Sequence, residues 1–317
     1  MSELPRNPHF DDKRVVWDDA YSGEYQPVRY DSQFDSQWEL YREQAKGFSN
    51  LAGVETRDPW IDERILELTG EQGFLEKQKY GAIGYRFLDF FRKKKKLGLG
   101  TKFRLRPAFS VDHFRGKRCL DVGCGAGRWT RTLQALGANV KSTDMSQNGL
   151  QSTRRFNDDV EELDLFAIPQ RSDLQARFDF SICWGVIMHT HDPRAAFEAV
   201  AGTVAPEGEI YTMIYAPEGM HNSQEVREHR RVYHQELSNA KEKIDYAKQI
   251  AGKSGNVLGH LDMLNTFYNW VVPESVVHNW HRDHGFDNVM TLNTHEQPKC
   301  AYHVVGRKSK AALADAA

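Results

Sequence analysis

The sequence lacks the long apolar runs of a membrane protein; no stretch approaches the ~18 residues that a spanning helix needs. Its opening, "MSELPRNPHFDDKR", carries no apolar signal segment, so a cytoplasmic chain without a membrane partner is expected. Cysteine is scarce. The four cysteines, Cys119, Cys124, Cys183 and Cys300, fall in or beside apolar runs, and none makes a CxxC pair. They read as reduced core thiols rather than a disulfide or zinc framework. An excess of charge of one sign is also lacking. With 42 basic and 44 acidic residues the formal net charge is −2, which leaves no global basic field for nucleic acid.

What the chain does have is a change of rhythm. Residues 1–34 are polar with scattered aromatics and no period, the pattern of a flexible tail. Residues 35–110 read as a helical lead-in or lid. Within it "DSQWELYREQ" puts Trp38 and Tyr41 on one face. "DPWIDERILELTG" has Asp58 as N-cap, Pro59 at the first helical position, Ile61, Ile65 and Leu68 on one stripe, and Gly70 as the stop. "FLEKQKYGAIGYRFLDFFRKKKK" is aromatic and ends in the basic run Arg92 to Lys96, with Lys102, Arg104 and Arg106 behind it. A solvated helix end is a plainer reading of that run than a phosphate or RNA contact.

From residue 111 strands and helices alternate. "KRCLDVG", "NVKSTDMS", "VEELDLF", "FDFSICWGV" and "GEIYTMIYA" read as strands, with "RWTRTLQALG", "QNGLQSTRRF" and "DPRAAFEAVAGTV" as helices between them. That order demands a mostly parallel sheet covered on both faces. The rhythm breaks over 217–270, where "EVREHRRVYHQELSNAKEKIDYAKQIAG" reads as helical, and resumes over 271–308 with one helix and two strands. The expected fold is therefore α/β, a Rossmann-like core of residues 111–216 and 271–308 with a helical lead-in. A helical insertion, 217–270, precedes the last two strands and forms a substrate cap. Residues 309–317 read as a second flexible tail. The insertion helix could pair two copies of the chain as a homodimer, or pack on its own sheet.

The most informative stretch is "CLDVGCGAGRWT", Cys119 to Thr130. A strand ends on Asp121 and Val122, and glycines 123, 125 and 127 follow. A dinucleotide fingerprint would place its third glycine one residue later. A pyrophosphate also wants helix N–H groups and no nearby carboxylate, so Asp121 would repel it. A ligand carrying an ammonium and a sulfonium wants carboxylate and carbonyl oxygens instead. These features favour a cationic ligand over a nicotinamide dinucleotide.

"LDVGCGAGRWT", the acid Asp144 ending the next strand, "DLF" with Asp164, "FDFSICWGVIMHTHDP" and "PEGEIYTMIY" together resemble a class I S-adenosylmethionine-dependent methyltransferase of the small-molecule type. The resemblance covers residues 117–216 well. It implies a seven-stranded sheet whose final strand runs antiparallel, and S-adenosyl-L-methionine as cofactor. It also implies roles. Gly123, Cys124 and Gly125 would pass along the methionine part of the cofactor, and Asp121 would answer its ammonium directly or through water. Asp144, with Met145 beside it, would accept the ribose hydroxyls as donors. Asp164 and Leu165 would recognise adenine, with Asp173 as the competing candidate. Trp184 would border the cofactor at the end of the fourth strand.

Methyl transfer from a sulfonium asks the protein for alignment and desolvation, and a phenol, hydroxyl or ammonium acceptor also needs a base. After the fourth strand "CWGVIMHTHDP" offers His189 as that base or as a structural residue, while His191 is expected to face solvent. The segment "LDMLNTFYNW" supplies Asp262, Asn265, Tyr268 and Asn269 as acceptor-binding candidates, or as core aromatics with capping polars. His278, His281 and His284 recur every third residue without a carboxylate or cysteine, so no metal is expected. The favoured activity is methylation of a small molecule, at oxygen before nitrogen. The rivals are a nucleic-acid or protein methyltransferase, disfavoured by the charge and by the absence of an Asn/Asp-Pro-Pro-Tyr motif, and a non-catalytic cofactor-binding protein.

Overall fold

The computed structural model describes residues 16–21, 25, 27, 58–94, 107–252, 257–293 and 299–310. Strands β1 (Arg118–Val122), β2 (Asn139–Asp144), β3 (Val160–Glu162), β4 (Phe178–Trp184), β5 (Val204–Tyr215), β6 (Phe286–Thr291) and β7 (Ala301–Lys308) form one sheet in the order β3-β2-β1-β4-β5-β7-β6. Strands β1 to β5 pair in parallel, and β7 lies antiparallel between β5 and β6. Cys119 to Val122 are all buried, as a central parallel strand covered on both faces requires. Strand order reverses between β1 and β4, which opens a crevice at their carboxyl ends. Val122 and Trp184 stand there.

Among the described residues the helices are α1 (Asp58–Thr69), α2 (Phe74–Lys94), α3 (Arg128–Ala135), α4 (Gln147–Thr153), α5 (Pro193–Thr203), α6 (Gln224–Gln235), α7 (Ala240–Ala251), α8 (Val257–Asn265) and α9 (Glu274–Asp283). Helices α1 and α3 cover one face of the sheet, where Ile61, Ile65, Leu68, Trp129 and Leu133 pack with Phe180, Ile182 and Tyr211. Each fully buried aliphatic side chain of α1 is worth roughly 1.5–3 kcal/mol, so this part of the lead-in is built into the core. Helices α5 and α9 cover the other face through Phe197, Val200, Val277 and Trp280.

Four elements differ from the sequence reading. The strand expected over 160–166 stops at Glu162, because Asp164 turns the chain by accepting the Phe166 amide at 2.9 Å and starting a 3-10 turn. The single insertion helix is two, α6 and α7. Asn239 caps the second by accepting the Glu242 amide, and Glu242 reaches back to the Ser238 amide. Their apolar positions, with Leu261, Met263 and Leu264 of α8, close a small core of their own. Thirdly, part of the expected 1–34 tail is packed. Trp17 is buried, its amide donates to the Val271 carbonyl, and its ring meets Trp270 edge-on. Asp19 accepts from the Trp280 indole and pairs with Arg194. Fourthly, Ser309, expected in the second tail, is held to the fold, its amide donating to the Gly285 carbonyl. The rest of both tails, the helix expected around Trp38 and Tyr41, and the side chains of the Arg92–Lys96 run with Lys102, Arg104 and Arg106 lie outside the described residues.

Candidate functional site

The turn after β1 is held by its own strand neighbours. The amides of Gly123 and Cys124 both donate to the Thr143 carbonyl on β2. Gly123, Gly125 and Gly127 have φ of 71°, 51° and 84°, the left-handed region that favours glycine. Two of them are bare for reasons internal to the protein. A Cβ on Gly123 would stand 2.4 Å from Val186, and one on Gly127 2.4 Å from Phe156. Gly125 is different: its amide donates to Asp144 Oδ2 at 2.8 Å, and the Ser146 amide donates to Oδ1 at 2.7 Å. Asp144 thus ties the apex of the first turn to the start of the second. Helix α4 then presses in so closely that a Cβ on Gly149 would lie 3.1 Å from the Gly125 carbonyl.

Asp121 sits behind this turn, buried, with Oδ2 accepting from Thr130 Oγ1 at 2.7 Å. Burial pushes its carboxyl up to about 7, against the lowering effect of the Thr130 bonds. Cys124 is buried with Sγ 3.9 Å from Thr153 Oγ1, and burial holds its thiol protonated. Met145 and Leu165 are half-buried, beside Asp144 and the Asp164 cap respectively. Asp173 stands apart in an exposed pair with Arg171.

At the end of β4, Trp184 lies under the Arg128 guanidinium, whose carbon is 4.6 Å from the ring centroid. His189 follows on a short 3-10 turn, buried, with Nδ1 2.9 Å from the Tyr268 carbonyl oxygen. Only a protonated Nδ1 can donate there, so in the neutral ring Nε2 is the basic nitrogen. Tyr268 meets His189 through its backbone, while its ring packs with Trp270 and Tyr25. Asn269 is buried, its Nδ2 is 3.3 Å from His221 Nδ1, and its Oδ1 has no partner. Asn265 accepts from the Tyr233 hydroxyl at 3.3 Å inside the insertion core, away from this group. Asp262 lies on α8 with its side chain outside the described residues. His191 is half-buried against Phe166 rather than facing solvent.

Two groups were missed by the sequence reading. His221 stacks on Tyr215 at 3.5 Å, and burial, helped by His189 and Arg230, lowers its pKa to about 3. Arg230, buried on α6, donates to the carbonyls of Met263, Leu264, Thr266 and Phe267 and so fastens the end of α8 and the segment leading to Asn269. Neither carries a motif; both acquire their partners only when the insertion folds over the sheet. The spaced histidines of α9 are engaged elsewhere, with His278 on Thr291 and His281 and His284 on carbonyls of their own helix.

A family model described as a methyltransferase domain matches residues 92–290. The ubiquinone biosynthesis O-methyltransferase of Paraburkholderia phymatum is 31% identical over 142 residues, 43% of this chain and 60% of that protein. The enzyme of the same name from Ralstonia nicotianae is 30% identical over 142 residues, 43% of this chain and 59% of that one. The match thus spans less than two thirds of these relatives. Among solved structures, a magnesium protoporphyrin IX methyltransferase from Synechocystis with bound SAH has a TM-score of 0.45 at 13% identity, over 88% of this chain and 98% of that one.

Proposed function

Because the chain belongs to the methyltransferase domain family, we propose that it is an S-adenosylmethionine-dependent enzyme that methylates a small molecule, at oxygen before nitrogen. The observation that carries this reading is the Asp144 carboxylate clasping the Gly125 amide at the carboxyl edge of the sheet. The donor set suits a cationic nucleoside. A second carboxylate, Asp121, lies behind the turn, and Gly125 presents backbone without a side chain. When bound, the cofactor supplies a methyl group already activated on a sulfonium.

The chain's own residues then have distinct tasks. Gly123, Cys124 and Gly125 line the methionine part, Asp121 orients the turn and offsets the ammonium, and Asp144 with Met145 takes the ribose. Asp164 and Leu165 address adenine, and Trp184 walls the crevice. Residues 217–270 act as the cap. From it Asn269 Oδ1, buried without a partner, offers an acceptor atom to a substrate donor. His189 Nε2 takes the acceptor's proton while the Tyr268 carbonyl holds Nδ1–H. The O-methyltransferase names of the relatives favour oxygen.

The net charge of −2 speaks against a nucleic-acid partner. A homodimer paired through the insertion draws no support from helices whose apolar faces close on one another. Among the described residues no helix is long and apolar enough to cross a membrane; cytoplasmic placement is part of this proposal. S-adenosylhomocysteine should raise the melting temperature by mass action and NAD should not. A shift with NAD alone would overturn the reading.

A further inference from the structure

Three buried donors without acceptors meet on the sheet face under α1 and α3: Nε of Arg64, Nε of Arg128 and the indole Nε1 of Trp129. The Trp184 indole beside them has the Tyr211 hydroxyl as its partner, and Glu67 Oε2 meets Arg64 only as an ion pair at 2.8 Å. The two indoles are 6.0 Å apart, and the guanidinium carbons stand 5.5 Å (Arg64) and 4.6 Å (Arg128) from the Trp184 ring. A buried donor left unsatisfied costs roughly 1–3 kcal/mol, so three together point to an acceptor that belongs among them. The place fits a ligand. Arg128 is the first residue after the glycine turn and Trp184 the last of β4, so the cluster borders the crevice.

The charges narrow the ligand further. Arg64 pairs with Glu67 at 2.8 Å and, on its more open side, with Glu63 at 3.3 Å. Glu67 is the acid facing inward, and burial raises its carboxyl to about 7. Arg128 makes no ion pair among the described residues. His303, bonded through Nδ1 to the Tyr211 hydroxyl, is driven by burial to about 3 and stays neutral. The acids around the two guanidiniums are Glu67 and Glu63 beside Arg64 and the buried Asp121 toward Arg128. A phosphate dianion among them would meet repulsion, so a monoanion held by hydrogen bonds fits better. Arg128, lying on the Trp184 indole, keeps its N–H edge for a planar carboxylate, while Arg64 adds its Nε, its Nη atoms being held by Glu67 and Glu63.

We propose that Arg64 and Arg128, flanking Trp184, form a carboxylate-binding subsite at the carboxyl edge of β1 and β4. The proposal rests on the methyltransferase reading for the source of the carboxylate, which is either the amino-acid end of the cofactor or the acceptor. The subsite also explains why a helix of the lead-in reaches the crevice, since α1 brings one of its two cations.

The test compares wild type with Arg128→Gln and Arg64→Gln. Calorimetry is run with S-adenosylhomocysteine and with 5′-methylthioadenosine, which lacks the amino-acid part, and thermal shift is run with benzoate as a carboxylate probe. Circular dichroism selects folded variants, and Arg128→Lys provides a version that keeps charge but loses the fork. If the cofactor supplies the carboxylate, S-adenosylhomocysteine binds at least tenfold more weakly to Arg128→Gln and methylthioadenosine is unaffected. If the acceptor supplies it, both nucleosides bind as before and the benzoate shift of the wild type disappears. Equal weakening of both nucleosides, or no change with any of the three ligands, would overturn the subsite. A wild type that binds neither nucleoside overturns the methyltransferase reading instead, and the benzoate arm still reports on the arginines.

Discussion

The two ends of the crevice are built by different means. The donor end is local: Asp121, the glycine turn, Asp144 and Asp164 each sit at a strand terminus, and their partners lie on the neighbouring strand or the next helix. The acceptor end is assembled across the chain. His189 is bonded to Tyr268, Asn269 to His221, and the whole segment hangs on Arg230 of α6. Local construction leaves a pattern in sequence, and assembly at long range leaves almost none. Mutations should therefore separate the two ends, with stability and turnover failing at one and cofactor affinity at the other.

The largest effect is expected at Arg230. Arg230→Met would strand several buried carbonyls at ~1–3 kcal/mol each, so a loss of about 3 kcal/mol or more in unfolding free energy is expected. At a temperature where the variant remains folded, S-adenosylhomocysteine affinity should stay within about twofold of wild type, the scatter of distant, independent sites. Chemical denaturation and calorimetry measure the two quantities. A variant that loses cofactor affinity along with stability would show that the ends are one unit.

Next is His189→Ala. Removing a general base costs roughly a hundredfold or more in turnover, with cofactor affinity nearly unchanged. The loss should shrink at high pH, where the acceptor ionises unaided. Undiminished turnover in a folded variant would remove His189 from the mechanism. At the donor end, Asp144→Ala should weaken S-adenosylhomocysteine by ~2 kcal/mol, the scale of lost charge-assisted hydrogen bonds. It should also loosen the turn, since the amides of Gly125 and Ser146 lose their acceptor. Full cofactor affinity by calorimetry would mean that Asp144 serves the fold alone.

How far the sequence could be read follows the same division. The strands of the parallel sheet and the apolar stripe of α1 are periodic features, and periodicity is legible; the antiparallel β7 was expected only from the family resemblance. The break between α6 and α7 was legible too, because Ser238, Asn239 and Glu242 spell a capping pattern that the apolar spacing overrode. The glycines were found from the ligand they were expected to admit, and the crowding by Val186 and Phe156 that two of them also answer was not legible. Arg64, His221, Arg230 and the anchoring of Trp17 were not legible. A lone arginine in an amphipathic helix looks solvated until another element buries it, and a lone tryptophan in an aperiodic stretch names no partner.

The smallest effect gives the sharpest contrast, because the two ends should respond to pH with opposite sign. Asp121 has its carboxyl raised by burial to about 7, above its unfolded value. Between those values the folded state holds the proton and the unfolded state does not, so stability contributed by this group falls as pH rises toward 7. His221 is lowered to about 3 by burial. Below its ordinary value the unfolded state takes the proton and the folded state refuses it, so its contribution falls as pH drops below about 6.5. Over the single unit from pH 6 to 7 each slope amounts to about 1 kcal/mol at most, and in the wild type the two oppose each other. Asp121→Asn removes the first slope: its stability relative to wild type should improve steadily from pH 6 to 7. His221→Gln removes the second, so its relative stability should improve as pH falls from 7 to 6, whatever constant penalty the lost stacking on Tyr215 imposes. Urea unfolding at several pH values in that window reads both. Parallel shifts without a change of slope would mean that neither group titrates as its burial dictates, and the electrostatic half of the contrast would fall while the geometric half stood.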